Sequence, residues 1–193
     1  MRSIVIGVSM TAAILLGFME LAHASGVVEA NSFFAGIAHP LSGVDHILAM
    51  VIVGVWSVLA GGRAIWIWPT AFVATMLAGF AAATAGAHIP LVEPAIATSI
   101  IVLGLLVALA VRAPVWWGAG VVGLFAFFHG HAHGTEAAAE HLIAYASGFA
   151  LATATLHAAG ITLALLAHGS KSSVVLRAIG GLAALAGLTL MAT

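Results

Sequence analysis

The chain has 193 residues, of which 63% are hydrophobic and 6% charged, with a mean hydropathy of +1.22 and a formal net charge of −1. A soluble domain carries about 25% charged residues, so this composition excludes a soluble enzyme, a disordered chain and a nucleic-acid binder. Five Lys and Arg offer no basic patch, and the absence of Cys excludes disulfides, iron–sulfur clusters and thiolate metal sites.

Residues 1–24 read as a signal peptide. Arg2 is a minimal positive n-region, residues 4–18 are the apolar core, and Ala22-His23-Ala24 is a small-x-small cleavage pattern before Ser25. The alternative is an uncleaved first membrane helix, and Glu20 fits either. Residues 25–193 are expected to form a single transmembrane domain. Its fold class is all-α: a polytopic membrane bundle of six transmembrane helices, near 41–60, 66–86, 94–111, 114–133, 141–167 and 174–192. Each segment is close to the ~20 residues that cross a ~30 Å hydrocarbon core. Gly61-Gly62-Arg63, His88-Ile89-Pro90, Arg112-Ala113-Pro114, Gly134-Thr135-Glu136 and Gly169-Ser170-Lys171 supply the breaks. The alternation expected of a membrane β-barrel is missing.

Charge sets the expected orientation. With residue 25 on the outer side, the inner loops hold Arg63, Arg112, Lys171 and Arg177 and no acid. The outer side holds Glu29, Asp45, Glu93, Glu136 and Glu140 and no base. This split follows the positive-inside rule and implies a bacterial inner membrane, with both mature termini in the periplasm. Trp56, Trp66, Trp68, Trp116 and Trp117 fall near the inner interface, where indoles prefer to sit. Ala146, Ala150, Ala154 and Ala158 form an every-fourth stripe on the fifth helix, and Gly180, Ala184 and Gly187 do similar work on the sixth. Such stripes admit close helix contacts in lipid, within the chain or in a homo-oligomer.

Ten His against six acids is the unusual balance, because polar groups are costly in lipid. The first constellation is His39-Pro40-Leu41-Ser42-Gly43-Val44-Asp45-His46. Pro40 suits the first turn of a helix, which would set His39 at its mouth. In a regular helix His39 and His46, about two turns apart, share a face, with Asp45 to one side. Two imidazoles and a carboxylate suit Ni, Co, Zn, Cu(II) or Fe(II), while Cu(I) prefers sulfur. Asp45 is alternatively a carboxylate that orients a ligand imidazole, or the whole segment is a polar helix mouth. The second constellation is His129-Gly130-His131-Ala132-His133-Gly134, followed by Glu136, Glu140 and His141. On the expected topology it lies at the same depth as the first. His129 and His133 share a face, His131 points the other way, and Gly130 and Gly134 are expected to loosen the helix there.

Glu136, Glu140, His141, His88 and Glu93 belong to outer loops and could draw cations toward an entrance. His157 lies about 16 residues into the fifth helix, nearer the cytoplasm. It is either a lower relay for metal or protons or a packing residue beside Thr153 and Thr155. His168 reads as a solvated loop residue, His23 leaves with the leader, and Met50 and Met76 read as packing.

At these motifs the sequence resembles the HupE/UreJ family of small membrane proteins. The matching stretches are His39-Pro40 through Asp45-His46, Ile47-Leu48-Ala49-Met50, Val53-Gly54-Val55-Trp56, and Phe127 through Glu136. The leader and the six helices match as well. The resemblance implies a nickel or cobalt permease linked to hydrogenase and urease maturation, with metal handled by His39, Asp45, His46, His129, His131 and His133. Glu136 and His157 are accessory candidates.

The sequence therefore leads to a metal permease rather than an enzyme. Its substrate would be a divalent transition metal captured between the first and fourth helices. No organic cofactor is implied, and the partners are the metal ion, the lipid bilayer and, for some members of such a family, metalloenzyme maturation proteins or further copies of the chain. The chain lacks a Gly-x4-Gly-Lys-Ser/Thr loop, so it should not itself hydrolyse ATP. Two other classes compete. One is an intramembrane metal- or haem-binding enzyme, although neither His-Glu-x-x-His nor a serine elbow is present. The other is a metal-sequestering assembly protein.

Overall fold

The computed structural model describes residues 33–137, 141–167 and 172–192. The expected leader and Glu140 lie outside them, as do His168 and Lys171. Among the described residues the chain is all helical, with seven helices and no strand. They are α1 (Phe33–Ser42), α2 (Val44–Ala60), α3 (Ala64–Thr84), α4 (Val92–Ala108), α5 (Val115–Glu136), α6 (Leu142–Leu166) and α7 (Ser172–Ala192). Each of the six expected segments is helical, with ends that differ from expectation by a few residues. Helices α3, α6 and the 174–192 part of α7 are long and apolar enough to cross a membrane, and α1 with α2 makes a fourth if that bent pair is one span. Helix α4 is apolar but shorter at 17 residues.

The departure from expectation is at the start. Pro40 does not open a helix; it sits inside α1, near its end. A proline there lacks the N–H that would bond Gly36 and crowds the preceding turn. Ser42 Oγ donates to the His39 carbonyl at 2.7 Å, which occupies one of the free acceptors at the helix end. Gly43 then adopts an extended conformation (φ −95°, ψ 119°), and α2 leaves at 86° to α1. His39 and His46 are therefore on two helices rather than on one face of a single helix.

Glycines set how closely the helices approach. Gly36 and Gly148 let α1 meet α6, where a Cβ on Gly36 would strike the Tyr145 carbonyl and one on Gly148 the Phe33 carbonyl. Gly54 and Gly160 do the same for α2 and α6, against the His157 and Val51 carbonyls. His46 near the start of α2 and Phe149 of α6 both touch the His133 ring, and Gly54 and Gly160 meet farther along, so α2 and α6 run parallel. Gly79 and Gly130 join α3 to α5, also in parallel, through the Phe127 and Met76 carbonyls. Gly104 with Gly180, Ala184 and Gly187 joins α4 to α7 in antiparallel register. The sixth-helix stripe thus packs as expected. The alanine stripe on α6 packs in part: Ala146 and Ala150 lie against the buried clusters, Ala154 and Ala158 are exposed, and the buried face carries Gly148, Phe149, Ala152, Thr153, Leu156, His157 and Gly160. Backbone-to-backbone approach needs a hydrogen in place of the methyl, so glycine rather than alanine marks the seam.

At the opposite end from the histidine motifs, Trp56 and Trp68 are fully buried with ring centroids 4.2 Å apart. Their indole N–H groups donate to the Val111 carbonyl at 2.9 Å and the Val115 carbonyl at 2.7 Å, which ties α2 and α3 to the link between α4 and α5. All five Trp gather at this end, but these two belong to the interior and only Trp66, Trp116 and Trp117 are exposed.

Gly160→Val is expected to cost about 1–3 kcal/mol through overpacking against α2, seen as a lower melting temperature in detergent. Gly120, with nothing within 4 Å of an added Cβ, should accept Ala with a gain of roughly 0.5–1 kcal/mol. Equal melting temperatures for the two variants would contradict the packing described.

Candidate functional site

Three helices bring the two histidine motifs together. His39 comes from the end of α1, Asp45 and His46 from the first turn of α2, and His129, His133 and Glu136 from the last two turns of α5. The 86° bend at Gly43 turns the start of α2 back under α1, so the His39 and His46 rings lie 6.0 Å apart, centre to centre. His133 sits between them, 4.5 Å from the His39 ring and 4.6 Å from that of His46. The His129 ring is 5.5 Å from His46 on the other side.

Glu136 closes the outer rim. One of its oxygens is 3.2 Å from His39 Nε2 and 3.7 Å from His133 Nδ1. Donor atoms of His39, His133 and Glu136 all lie within 4.8 Å of one another, a spacing that suits one metal ion. Sequence placed Glu136 in a loop, but it is the last residue of α5 and part of the cluster.

Hydrogen bonds fix which nitrogen each ring presents. Asp45 Oδ1 lies 2.8 Å from His46 Nδ1, and a carboxylate accepts, so Nδ1 carries the proton. His129 Nδ1 likewise donates to the Phe125 carbonyl at 2.9 Å. Both rings are left with an Nε2 lone pair, and both of these nitrogens are buried without a hydrogen-bond partner, as are both ring nitrogens of His133. A buried polar group left unpaired costs about 1–3 kcal/mol. Several such atoms around one point form a donor set that a cation would satisfy. This contact places Asp45 to orient the His46 ring, as carboxylates commonly orient ligand histidines in metal sites.

The walls are aromatic. Phe149 packs 4.1 Å from the His133 ring, Tyr145 faces His39 at 6.3 Å, and Phe72 lies 5.6 Å from His129. Sequence reading missed these three. The solitary Tyr of the chain, one helical turn before Phe149, was the available signal.

His131 is not brought into the cluster. It faces away, as its odd spacing required, and its Nε2 donates to the Ala87 carbonyl at 2.8 Å, tethering the turn after α3. The expected loosening at Gly130 and Gly134 does not occur either. Helix α5 continues to Glu136, and the two glycines instead admit the Met76 and Phe80 backbone of α3. Met50 and Met76 are buried packing residues, with Thr153 Oγ1 donating to Met76 Sδ at 3.6 Å.

Two outer cavities flank the cluster. Asp45 and Glu93 line one of about 280 Å³ together with Ile96, Ala97 and Met191. His88 lines another of about 330 Å³ beside Gly134 and Thr135. His141 is exposed at the start of α6. His157 stands apart, buried against Phe72 at 4.9 Å.

Residues 11–190 match the family described as HupE / UreJ protein. The chain is 46% identical over 177 residues to Protein HupE of Rhizobium leguminosarum bv. viciae, a span of 91% of this chain and 93% of that protein. No solved structure matches. By its motifs, its extent and this level of identity, the chain belongs to the HupE/UreJ protein family.

Proposed function

We propose that the chain is an inner-membrane permease for a divalent transition metal, nickel or cobalt, and not an enzyme. The observation that carries this reading is that donor atoms of His39, His133 and Glu136 lie within 4.8 Å of one another, with the His46 ring 4.6 Å from that of His133 and the His129 ring 5.5 Å from that of His46. Imidazole with carboxylate, and no sulfur from cysteine, is a donor set for Ni(II) or Co(II) and a poor one for Cu(I). Membership of the HupE/UreJ family supports the same choice.

In this reading six helices span the bilayer after a cleaved leader, and the cluster faces the periplasm. Asp45 and Glu93, on one cavity, raise the local cation concentration at the mouth. The ion sheds water as it exchanges aqua ligands for His39, Glu136 and His133, then moves to His46 and His129. One carboxylate in a set of neutral imidazoles leaves net positive charge on the complex, which keeps binding weak enough for release.

His133→Ala or Glu136→Gln in reconstituted vesicles should slow nickel uptake by about tenfold or more, and Asp45→Asn by about 10–100-fold, as for other groups that orient metal ligands. His131→Gln, which removes only the tether to Ala87, should leave uptake within about twofold of wild type, a loss of one hydrogen bond. Full uptake by His133→Ala at equal protein would contradict the proposal.

Proton competition gives a second check. Imidazole must be neutral to bind metal, and an ordinary His protonates near about pH 6.5. Affinity is therefore full at alkaline pH and lost as pH falls. Binding titrations between pH 8 and pH 5, roughly the range over which His changes charge, test this; a flat profile would contradict it.

A further inference from the structure

The helices that hold the histidine cluster at one end hold the tryptophan pair at the other. Helix α2 carries Asp45 and His46 in its first turn and Trp56 near its end, about 15 Å of helix further on. Helix α5 starts at Val115 and finishes with His129, His133 and Glu136, so His129 lies about 21 Å from Val115. Helix α3 sets Phe72 against the His129 ring at 5.6 Å and carries Trp68 one turn earlier. The interior between the two ends is closed. Val53 of α2, Phe72 of α3, and Val122 and Ala126 of α5 are all fully buried, and these hydrocarbon side chains offer a cation no nitrogen or oxygen donor.

Two side-chain hydrogen bonds hold the far end shut. The Trp56 indole N–H donates to the Val111 carbonyl at 2.9 Å, and that of Trp68 to the Val115 carbonyl at 2.7 Å. The two rings lie 4.2 Å apart, and Trp68 rests against Gly118 of α5, where an added Cβ would strike it. This closure differs in kind from the glycine seams elsewhere in the bundle. There, backbone meets backbone over several turns; here, two indoles hang on two carbonyls. Breaking those two bonds frees N–H and C=O groups at the end of the bundle, where water can take up both.

We propose that Trp56 and Trp68 are the inner gate of the permease: they keep the cytoplasmic end closed while the ion is captured, and the bound ion promotes their release from the Val111 and Val115 carbonyls. This inference rests on the permease reading above. An ion held by His133 beside the His46 ring gathers donors from both α5 and α2, and so favours one relative tilt of these helices over another. Both are continuous from the cluster to the tryptophan end. A change of tilt at the histidines therefore moves Trp56 relative to the link at Val111, and Gly118 relative to Trp68. A carrier that opened both ends together would be a pore, and a closure at the end remote from the binding site is what alternating access requires.

The chain has no Cys, so Val53→Cys places a single thiol in the closed interior, one turn short of Trp56. The test is its rate of labelling by a membrane-impermeant maleimide, applied to either face of sealed vesicles containing the full chain. Trp56→Phe and Trp68→Phe keep an aromatic ring and remove the N–H. Each should speed labelling from the inner face about fivefold or more, the effect of one lost hydrogen bond, with nickel binding within about twofold of the parent protein. Trp117→Phe, at an exposed ring 6.3 Å from Trp56, should leave the rate unchanged. With both tryptophans present, nickel should speed inner-face labelling about threefold or more, and His133→Ala should abolish that response. Unchanged inner-face labelling in both Phe variants, an equal rise from both faces, or no response to nickel that is bound would overturn the gate and leave the permease reading standing. Wild-type protein that neither binds nor carries nickel would overturn the permease reading itself, and the gate with it.

Discussion

Imidazole nitrogens that have no hydrogen-bond partner among the described residues, held in a low-dielectric interior, are the constraint from which the rest of the molecule follows. His46 and His129 each commit one nitrogen to an oxygen acceptor and present the other inward. His133, wedged between them and His39, has neither nitrogen hydrogen-bonded and in its neutral form offers one lone pair. In water such nitrogens would be hydrated at no cost. Here each is destabilising unless something binds it. A sequence that keeps three of them within one small volume accepts lower stability in exchange for a preformed donor set.

That volume is made by backbone devices more than by side-chain packing. The 86° bend after Pro40 and Gly43 folds His39 over His46. Paired glycines then draw α6 against α1 and α2, and α5 against α3, at distances a methyl group would forbid. With lipid outside and no hydrophobic drive between apolar helices, such close contact is the main source of specificity between helices. The tryptophan latch at the far end fixes α2 and α3 to the turn before α5. The histidines at the other end are consequently set by rigid helices and not by loops. The proposed metal site would gain from this, because its ligands would need little reordering on binding an ion.

Much of this was legible in the residues. The six apolar segments are the six long helices, since breaker residues and hydrophobic length are local signals. His129 and His133 share a face because a regular helix requires it, and the same rule turned His131 away toward Ala87. The meeting of the two motifs could be expected only from topology. What failed did so for identifiable reasons. Proline suits a helix start but also occurs near a helix end, and local sequence did not separate the two, so α1 and the bend went unseen. Of the alanines spaced every fourth residue on α6, Ala146 and Ala150 pack inward and Ala154 and Ala158 face outward, while the closest backbone contacts fall on the glycines beside them. Gly130 and Gly134 suggested a loosened helix because their partner, the α3 backbone, is distant in sequence. Tyr145, Phe149 and Phe72 looked like ordinary apolar content until the imidazoles they enclose were placed.

In the proposed site a single divalent ion is held by His39, His133 and Glu136, with the His46 ring beside them. Anomalous scattering from nickel-soaked crystals, recorded on both sides of the nickel edge, tests it most directly. The account predicts one dominant peak with nitrogen and oxygen donors from these residues at about 2.1 Å, as for other first-row ions, and with Asp45 still on His46 Nδ1. A nickel peak elsewhere in the bundle, with these nitrogens still unpartnered, would contradict it.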